Sequence, residues 1–139
     1  MAVADHLVDK SVLARVSIPA VAAVLRPLVA AGRTVICGVS ALELGFSARN
    51  AADHVKVRAG VGAHEWLVTD DEDFGRAFDV QGQLARTGRH RAVSLPDLLL
   101  AAVAERNGVT LLHYDADFDL VAEVTGQAVR WIVPRGSLA

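Results

Sequence analysis

The sequence predicts an α/β fold built around a short parallel sheet. Short apolar runs, some rich in β-branched residues, alternate with longer segments in which apolar residues recur at helical spacing, and this alternation is typical of βαβ units. The chain has 139 residues, of which 53% are hydrophobic, which is enough apolar material for one core. We therefore predict a single α/β domain over residues 1–139.

The predicted elements follow one another in order. The first strand is the apolar pair Leu7-Val8, and the second is the β-branched run 34–37. Between them a helix is predicted over 19–31, where apolar residues recur every three or four positions and Gly32 provides the stop. The later elements are helices over 41–52, 54–67, 71–87, 96–107 and 118–125 and strands over 109–113 and 128–133.

Two of these helices carry informative patterns. The helix over 71–87 is amphipathic, with four apolar residues on one side: Phe74, Ala77, Phe78 and Leu84. The helix over 96–107 is apolar on all sides between Leu98 and Val103, which predicts a central, buried position. Five other residues are predicted to belong to the core: Cys37, Trp66, His113, Tyr114 and Trp131.

Composition limits the classes of function. The net charge is −2 and the pI is about 6.2. Proteins that bind nucleic acid mainly by neutralising many phosphates are strongly basic. Any RNA contact would therefore rely on a few local arginines and on bound metal. The single cysteine excludes an internal disulfide, and the N-terminus resembles no signal peptide. Apolar stretches are too short to span a membrane, so we expect a cytoplasmic protein.

Four carboxylates stand at the ends of predicted elements. Asp9 follows the first strand, Glu43 is predicted in the first turn of the helix after the second strand, and Asp115 follows the strand over 109–113. Asp97 lies in the first turn of the buried helix. Because ligand sites of open parallel sheets form beyond the carboxyl ends of the strands, we expect these side chains to converge.

Converging carboxylates indicate a metal site. Like charges in an apolar setting repel one another and need cations to stay ionised. Oxygen ligands without histidine or cysteine suit Mg²⁺ or Mn²⁺. Such ions activate water and stabilise displacement at phosphorus, so the pattern predicts phosphodiester hydrolysis.

Helix capping is a structural alternative for some of these acids. Ser40 and Glu43, like Ser94 and Asp97, have the spacing of a capping box, in which the acid only stabilises the start of its helix. Residues 69–72 have the same spacing. Each acid alone leaves both interpretations open, and the order of all four together favours the metal site.

Four segments resemble the PIN-domain family, and in particular its VapC-type toxins. The V-D-K-S of residues 8–11 resembles the V-D-x-S opening, and residues 41–49 resemble the segment with the family's glutamate. The P-D-L-L-L-A-A of residues 96–102 resembles a D-x-x-I/L-A-A segment, and residues 113–118 resemble a final D-x-D-F segment. The match covers almost the whole chain in the right order.

The resemblance implies an α/β/α fold with a four- or five-stranded parallel sheet, and a metal-dependent endoribonuclease toxin. It also implies a homodimer and silencing by a cognate VapB-type antitoxin, for which the helices over 41–67 could form a groove. The implied ligands of Mg²⁺ or Mn²⁺ are Asp9, Glu43, Asp97, Asp115 and Asp117. Ser11 and Ser40 match positions that support the acids by hydrogen bonding.

Basic residues near these segments are candidates for RNA contacts. Lys10 departs from the threonine that is commoner at its place in the family, and it adds a positive charge beside the acids. Arg15 follows it by five residues, and Arg89 and Arg91 lie in a basic loop with His90.

Other functions remain as alternatives. The chain could be a PIN-like module that binds RNA or a partner without turnover, or a PIN nuclease that acts on DNA. A haloacid-dehalogenase phosphatase would need an acid where Ser11 stands, and a response-regulator receiver would need a late lysine, yet no lysine follows Lys56.

Overall fold

The computed structural model describes residues 3–138. The strands of its sheet are β1 (His6–Val8), β2 (Thr34–Cys37), β3 (Glu65–Leu67), β4 (Thr110–His113) and β5 (Val129–Trp131). The helices are α1 (Lys10–Leu13), α2 (Pro19–Ala30), α3 (Gly38–Phe46), α4 (Ala51–Gly62), α5 (Asp71–Ala85), α6 (Leu95–Arg106) and α7 (Asp117–Thr125). Among residues 3–138, no helix combines the length and apolar character needed to cross a membrane.

All five strands are parallel, and their order is β3-β2-β1-β4-β5. The chain builds outward from β1 through β2 to β3, then returns to the other side of β1 for β4 and β5. The central strand β1 therefore pairs with both β2 and β4. The direction of strand addition reverses beside β1, which is where open α/β sheets bind ligands.

Helices cover both faces of the sheet. Adjacent residues of a strand point to opposite faces, so Leu7 and Leu111 pack into one apolar core, while Val8 and Leu112 pack into another. The first core also contains side chains of α5, α6 and α7, and the second contains side chains of α1, α2 and α4. The predicted α/β fold with a parallel sheet between helices is confirmed, and the sheet has five strands.

The predicted central helix is confirmed as α6. Leu100 and Val103 are fully buried, and every residue from Leu100 to Ala104 is buried. The helix begins after Ser94, whose hydroxyl accepts a hydrogen bond from the backbone N–H of Asp97 at 3.3 Å. Capping thus places Asp97 in the first turn, as predicted.

Two predicted helices have different bounds. The segment predicted as a helix over 41–52 contains the end of α3 at Phe46 and the start of α4 at Ala51, because the side chain of Asn50 caps α4 by accepting from the N–H of Asp53 at 2.9 Å. The helix predicted over 54–67 stops at Gly62 and is followed by strand β3. Three residues at a sheet edge carry too short a pattern to identify β3, and pairing with β2 determines it.

The amphipathic side predicted for α5 is divided between core and solvent. Leu84 is buried in the first core and Ala77 packs against it, whereas Phe74 and Phe78 are 57% and 74% exposed. The prediction that Trp66 belongs to the core is also wrong, because this side chain lies on the edge strand and is 49% exposed.

The other four residues predicted for the core are fully or partly buried. Cys37 and His113 are fully buried, and Tyr114 and Trp131 are partly buried and in edge contact, with ring centroids 5.3 Å apart.

An ion pair between a buried aspartate and an exposed arginine joins the start of α5 to the end of α6. Asp70, rather than the predicted Thr69, caps α5 and forms a capping box with Asp73. The fully buried carboxylate of Asp73 also accepts from Arg106 Nε at 2.7 Å and Nη2 at 3.0 Å. Burial alone would raise the pKa of Asp73, but the bonds from Arg106 and the Asp70 N–H outweigh it and lower that pKa.

We expect Arg106→Met to lower the free energy of unfolding more than its control does, because it leaves the buried Asp73 carboxylate without its cation. Urea denaturation followed by circular dichroism measures this. The matched control is Arg86→Met, which removes an exposed arginine at the end of α5 and should change stability by less than about 0.5 kcal/mol. Equal stabilities of the two variants would contradict the role assigned to this pair.

Candidate metal centre

Asp9 stands at the junction of β1 and α1, where the fold buries it completely. It is the N-cap of α1, and its Oδ2 accepts from the backbone N–H of Ser11 at 3.0 Å. Its own N–H donates to the carbonyl of Leu112 on the neighbouring strand β4, at 2.9 Å. Oδ1 is buried and has no hydrogen-bond partner among the described residues. One oxygen is therefore engaged in capping, and the other is free for a ligand.

Of the two serines predicted to support the acids, Ser11 acts on Asp9 directly: hydrogen bonds from its side chain and its N–H oppose the larger effect of burial, which raises the pKa of Asp9. The Ser11 hydroxyl accepts from the N–H of Tyr114 at 2.8 Å, which joins the end of β1 to the segment that carries Asp115. The buried Ser40 hydroxyl donates to the carbonyl of Val8 at 3.4 Å, rather than to an acid. The predicted direct support by Ser40 is thus replaced by a bond to the residue before Asp9.

Glu43 lies in the second turn of α3, not in the first turn as predicted. The helix starts at Gly38, directly after β2, so Glu43 is its sixth residue and Ser40 lies inside it. Capping therefore does not explain Glu43. Its Oε2 lies 2.8 Å from the ammonium of Lys10, while its Oε1 is buried and has no partner among the described residues.

Asp115 and Asp117 occupy the turn between β4 and α7. Asp115 Oδ1 accepts from the N–H of Asp117 at 2.9 Å, and the N–H of Asp115 donates to His113 Nδ1 at 3.1 Å. The His113 ring packs between Phe118 and Trp131, with centroid distances of 5.1 and 4.9 Å. Burial lowers the pKa of His113, so the neutral ring that accepts through Nδ1 is favoured.

The acids converge in two groups that share Asp97. Ligand oxygens of Asp9, Glu43 and Asp97 lie within 4.8 Å of one another, and so do those of Asp97, Asp115 and Asp117. All five predicted acids are thus brought together, although they are spread over more than a hundred residues. Oxygen-only donors, with buried oxygens left unpartnered on Asp9 and Glu43, fit a divalent cation such as Mg²⁺ or Mn²⁺.

Burial and mutual repulsion perturb these acids. Burial, together with the carboxylates of Asp9, Asp115 and Glu43, raises the pKa of Asp97 to about 7. Burial also raises the pKa of Asp9 and, with the charge of Asp115, that of Asp117. A divalent cation would favour the ionised forms, so the perturbation is typical of a site built for a ligand.

The candidate RNA-contacting residues lie in two places. Lys10 and Arg15 are near the acids: Arg15 donates to the carbonyl of Ser11 at 2.7 Å and its guanidinium lies 5.1 Å from the centre of the Tyr114 ring. Arg89 pairs at 3.0 Å with Glu123, in the last turn of α7. Asp117 begins that helix six residues earlier, about 9 Å away along its axis. Arg91 is exposed in the same loop as Arg89.

Two apolar grooves flank α3. The first, about 490 Å³, lies between α3, α5 and α6, and its lining includes Phe74, Phe78 and also Glu43. The second, about 660 Å³, lies between α3 and α4 and contains Phe46 and Trp66. Phe46 is 92% exposed. We call them the α3–α5 groove and the α3–α4 groove.

Sequence reasoning missed two features of this region. The exposed phenylalanines of the α3–α5 groove lie on a helix whose apolar pattern predicts burial, so no local signal distinguishes them. The pair between Lys10 and Glu43 joins residues 33 positions apart in the sequence, and only the packing of α3 beside α1 brings them into contact.

Comparison with known proteins identifies the family of the chain. Residues 6–124 match the family model of the PIN domain. Ribonuclease VapC21 of Mycobacterium tuberculosis is 41% identical over 133 residues, covering 95% of this chain and 96% of that protein. Ribonuclease VapC51 of the same organism is also 41% identical, covering 96% of each chain.

Solved structures share the fold. A chain from the crystal structure of DNA-bound VapBC from Salmonella typhimurium superposes with a TM-score of 0.75 at 15% identity, covering 94% of this chain and 100% of that one. A chain from VapBC-5 of Mycobacterium tuberculosis superposes with a TM-score of 0.61 at 24% identity, covering 95% and 100%. Together with the family match and the extent of identity to the two ribonucleases, this shows that the chain belongs to the PIN-domain family, in its VapC branch.

Proposed function

We propose that this chain is a metal-dependent endoribonuclease that hydrolyses RNA phosphodiester bonds, as the toxin of a toxin–antitoxin pair. The observation that carries the proposal is the convergence of five acids, with buried oxygens of Asp9 and Glu43 left without partners. The names of the relatives at 41% identity, which are ribonucleases, support RNA as the substrate.

The proposed ligands are Asp9, Glu43, Asp97, Asp115 and Asp117, with Mg²⁺ or Mn²⁺ as the ion. When bound, such an ion supplies the charge that activates water and stabilises the phosphate during displacement. The chain's own contribution is to hold the oxygens in place. Asp9 and Asp97 stand at capped helix starts, where backbone N–H groups also favour the ionised carboxylate.

His113, the histidine next to the acids in the sequence, has a structural role. The Nδ1 of His113 already accepts the N–H of Asp115, and its Nε2 is buried without a partner among the described residues. Its contribution is to orient the backbone at Asp115. Lys10 and Arg15 are the proposed phosphate contacts near the acids, and Arg89 and Arg91 are proposed contacts further along the RNA.

The grooves beside α3 suit protein partners. We propose that a VapB-type antitoxin helix binds the α3–α4 groove, as the sequence predicts for residues 41–67, because exposed Phe46 and Trp66 offer it an apolar surface. A second copy of the chain is the proposed partner of the α3–α5 groove, where Phe74 and Phe78 are exposed.

The alternatives differ in what they predict. A binding module without turnover would bind Mn²⁺ and RNA but leave the RNA intact, and a DNA-acting nuclease would cut DNA in preference to RNA. The converging carboxylates favour catalysis, because a divalent ion held by them can activate water and stabilise displacement at phosphorus.

Purified wild-type protein should cleave cellular RNA at defined positions in Mg²⁺ or Mn²⁺, and EDTA should abolish this. Asp97→Asn should lower the cleavage rate by at least about 100-fold, because Asp97 belongs to both groups of acids. Gel analysis with mapping of the new ends measures the rate and identifies the target.

The matched control is Asp79→Asn, which removes an exposed acid of α5 and should cleave at the wild-type rate. Parallel reactions with single-stranded and duplex DNA test the DNA alternative. Intact RNA in every lane, with folded protein that still binds Mn²⁺, would overturn the nuclease and favour the binding module.

The contribution of Asp97 to the stability of the metal-free wild type should fall as the pH rises from about 4 to 7. Folded Asp97 keeps its proton up to about pH 7, whereas the unfolded chain releases it near pH 4, so the folded state binds more protons in this window. Between pH 5 and 8, wild type should lose on the order of 2 kcal/mol relative to Asp97→Asn, measured by urea denaturation in EDTA. Asp79→Asn should follow wild type, and parallel curves for wild type and Asp97→Asn would refute the assignment.

Sedimentation equilibrium tests the proposed second copy. Wild type should behave as a dimer, and Phe78→Glu should shift it to monomer, because a charge would be buried in the α3–α5 groove. Val55→Glu is the control, since this exposed residue of α4 lines neither groove and should leave the dimer intact. A monomeric wild type would rule out this partner.

A further inference from the structure

Lys10 places a cation on the acid cluster from within the chain. Its Nζ lies 2.8 Å from Oε2 of Glu43, with the lysine side chain 44% exposed and the glutamate 14% exposed. Lys10 is the first residue of α1, directly after Asp9, so the backbone that presents a proposed metal ligand also presents this ammonium.

The charges of the other acids act on the same ammonium. The hydrogen bond from Glu43 raises the pKa of Lys10, and the charges of Glu43, Asp97 and Asp9 add to this effect. The ammonium therefore lies in the field of all three acids of one ligand group. It offsets one negative charge of that group.

The other candidate RNA-contacting arginines with a partner are engaged elsewhere. Arg15 donates to the carbonyl of Ser11, and Arg89 pairs with Glu123. Among the ion pairs of residues 3–138, only that of Lys10 includes one of the five proposed ligands.

We infer that Lys10 is a built-in counter-cation, which occupies Glu43 in the metal-free protein and competes with the divalent ion for it. The inference rests on the proposed metal site and concerns how this chain regulates its occupancy. It differs from the phosphate contact proposed for Lys10, which applies after the ion has displaced the ammonium from Glu43.

The competition follows from charge. An ammonium and a divalent cation that both approach Glu43 repel each other strongly at such short range, so the ion must weaken or break the lysine pair in order to bind. In the absence of the ion, the pair lowers the repulsion between Glu43 and its neighbours. The same lysine therefore stabilises the empty site and weakens its affinity for metal.

Mn²⁺ binding measured by electron paramagnetic resonance tests this inference. Lys10→Met removes the charge while keeping an unbranched chain, and it should bind Mn²⁺ roughly tenfold more tightly than wild type. Lys10→Arg keeps the charge and should stay within about threefold of wild type. Lys56→Met removes the other lysine, which is exposed on α4, and should leave the affinity unchanged.

A second measurement uses the wild type, so it does not depend on a variant folding. The chain has two lysines, Lys10 and Lys56, so an amine-reactive ester gives two side-chain products that peptide mass spectrometry separates. Adding saturating Mg²⁺ should accelerate acylation of Lys10 at least about threefold, because the amine leaves the Glu43 carboxylate and becomes accessible to the reagent. The rate for Lys56 should not change.

The outcomes separate this inference from the proposed function. Equal or weaker Mn²⁺ affinity of Lys10→Met, or a Lys10 acylation rate that does not respond to Mg²⁺, would overturn the inference even if the protein cleaves RNA. Tighter binding by Lys10→Met without RNA cleavage by any variant would support it and overturn the ribonuclease. Absence of Mn²⁺ binding by every variant would overturn both.

Discussion

Repulsion between buried carboxylates is the constraint on which this molecule depends. Asp9, Glu43 and Asp97 hold ligand oxygens within 4.8 Å of one another, and Asp97 is 4% exposed. In such a setting each ionised carboxylate makes the next harder to ionise, so the folded chain must supply energy elsewhere to keep the group assembled. Two apolar cores, one on each face of the sheet, provide it.

The fold meets this constraint mainly through its backbone. Parallel strands bring the residues after β1, β2 and β4 to one edge of the sheet. The N–H of Ser11 donates to the Asp9 carboxylate, and the Ser94 cap fixes the start of the helix that carries Asp97. The hydroxyls of Ser11 and Ser40 join neighbouring backbone segments, so the acids are fixed through the chain that carries them. The Lys10 ammonium adds a positive charge beside Glu43. The neutral ring of His113 accepts the N–H of Asp115 and so orients the backbone there.

Elements with long or well-bounded patterns were predictable. Helix α6 is apolar over several turns, and the β-branched run of β2 ends at a glycine, so both match the structure closely. Errors arose where a short segment depends on its neighbours. The three residues of β3 become a strand only by pairing with β2, and the break between α3 and α4 depends on the cap at Asn50. Phe78 has a core-like pattern, yet no element within residues 3–138 covers it.

The sequence predicted the α/β class and the convergence of the five acids, because the alternation of patterns and the order of the acids can be read along the chain. That Asp97 belongs to both groups of acids could be seen only in the folded structure, because it depends on the distance between α6 and the edge of the sheet. The tertiary structure also decided that Glu43 belongs to the second turn of its helix and pairs with Lys10. Contacts between residues far apart in sequence arise from packing, and the hydrophobic periodicity of either segment does not predict them.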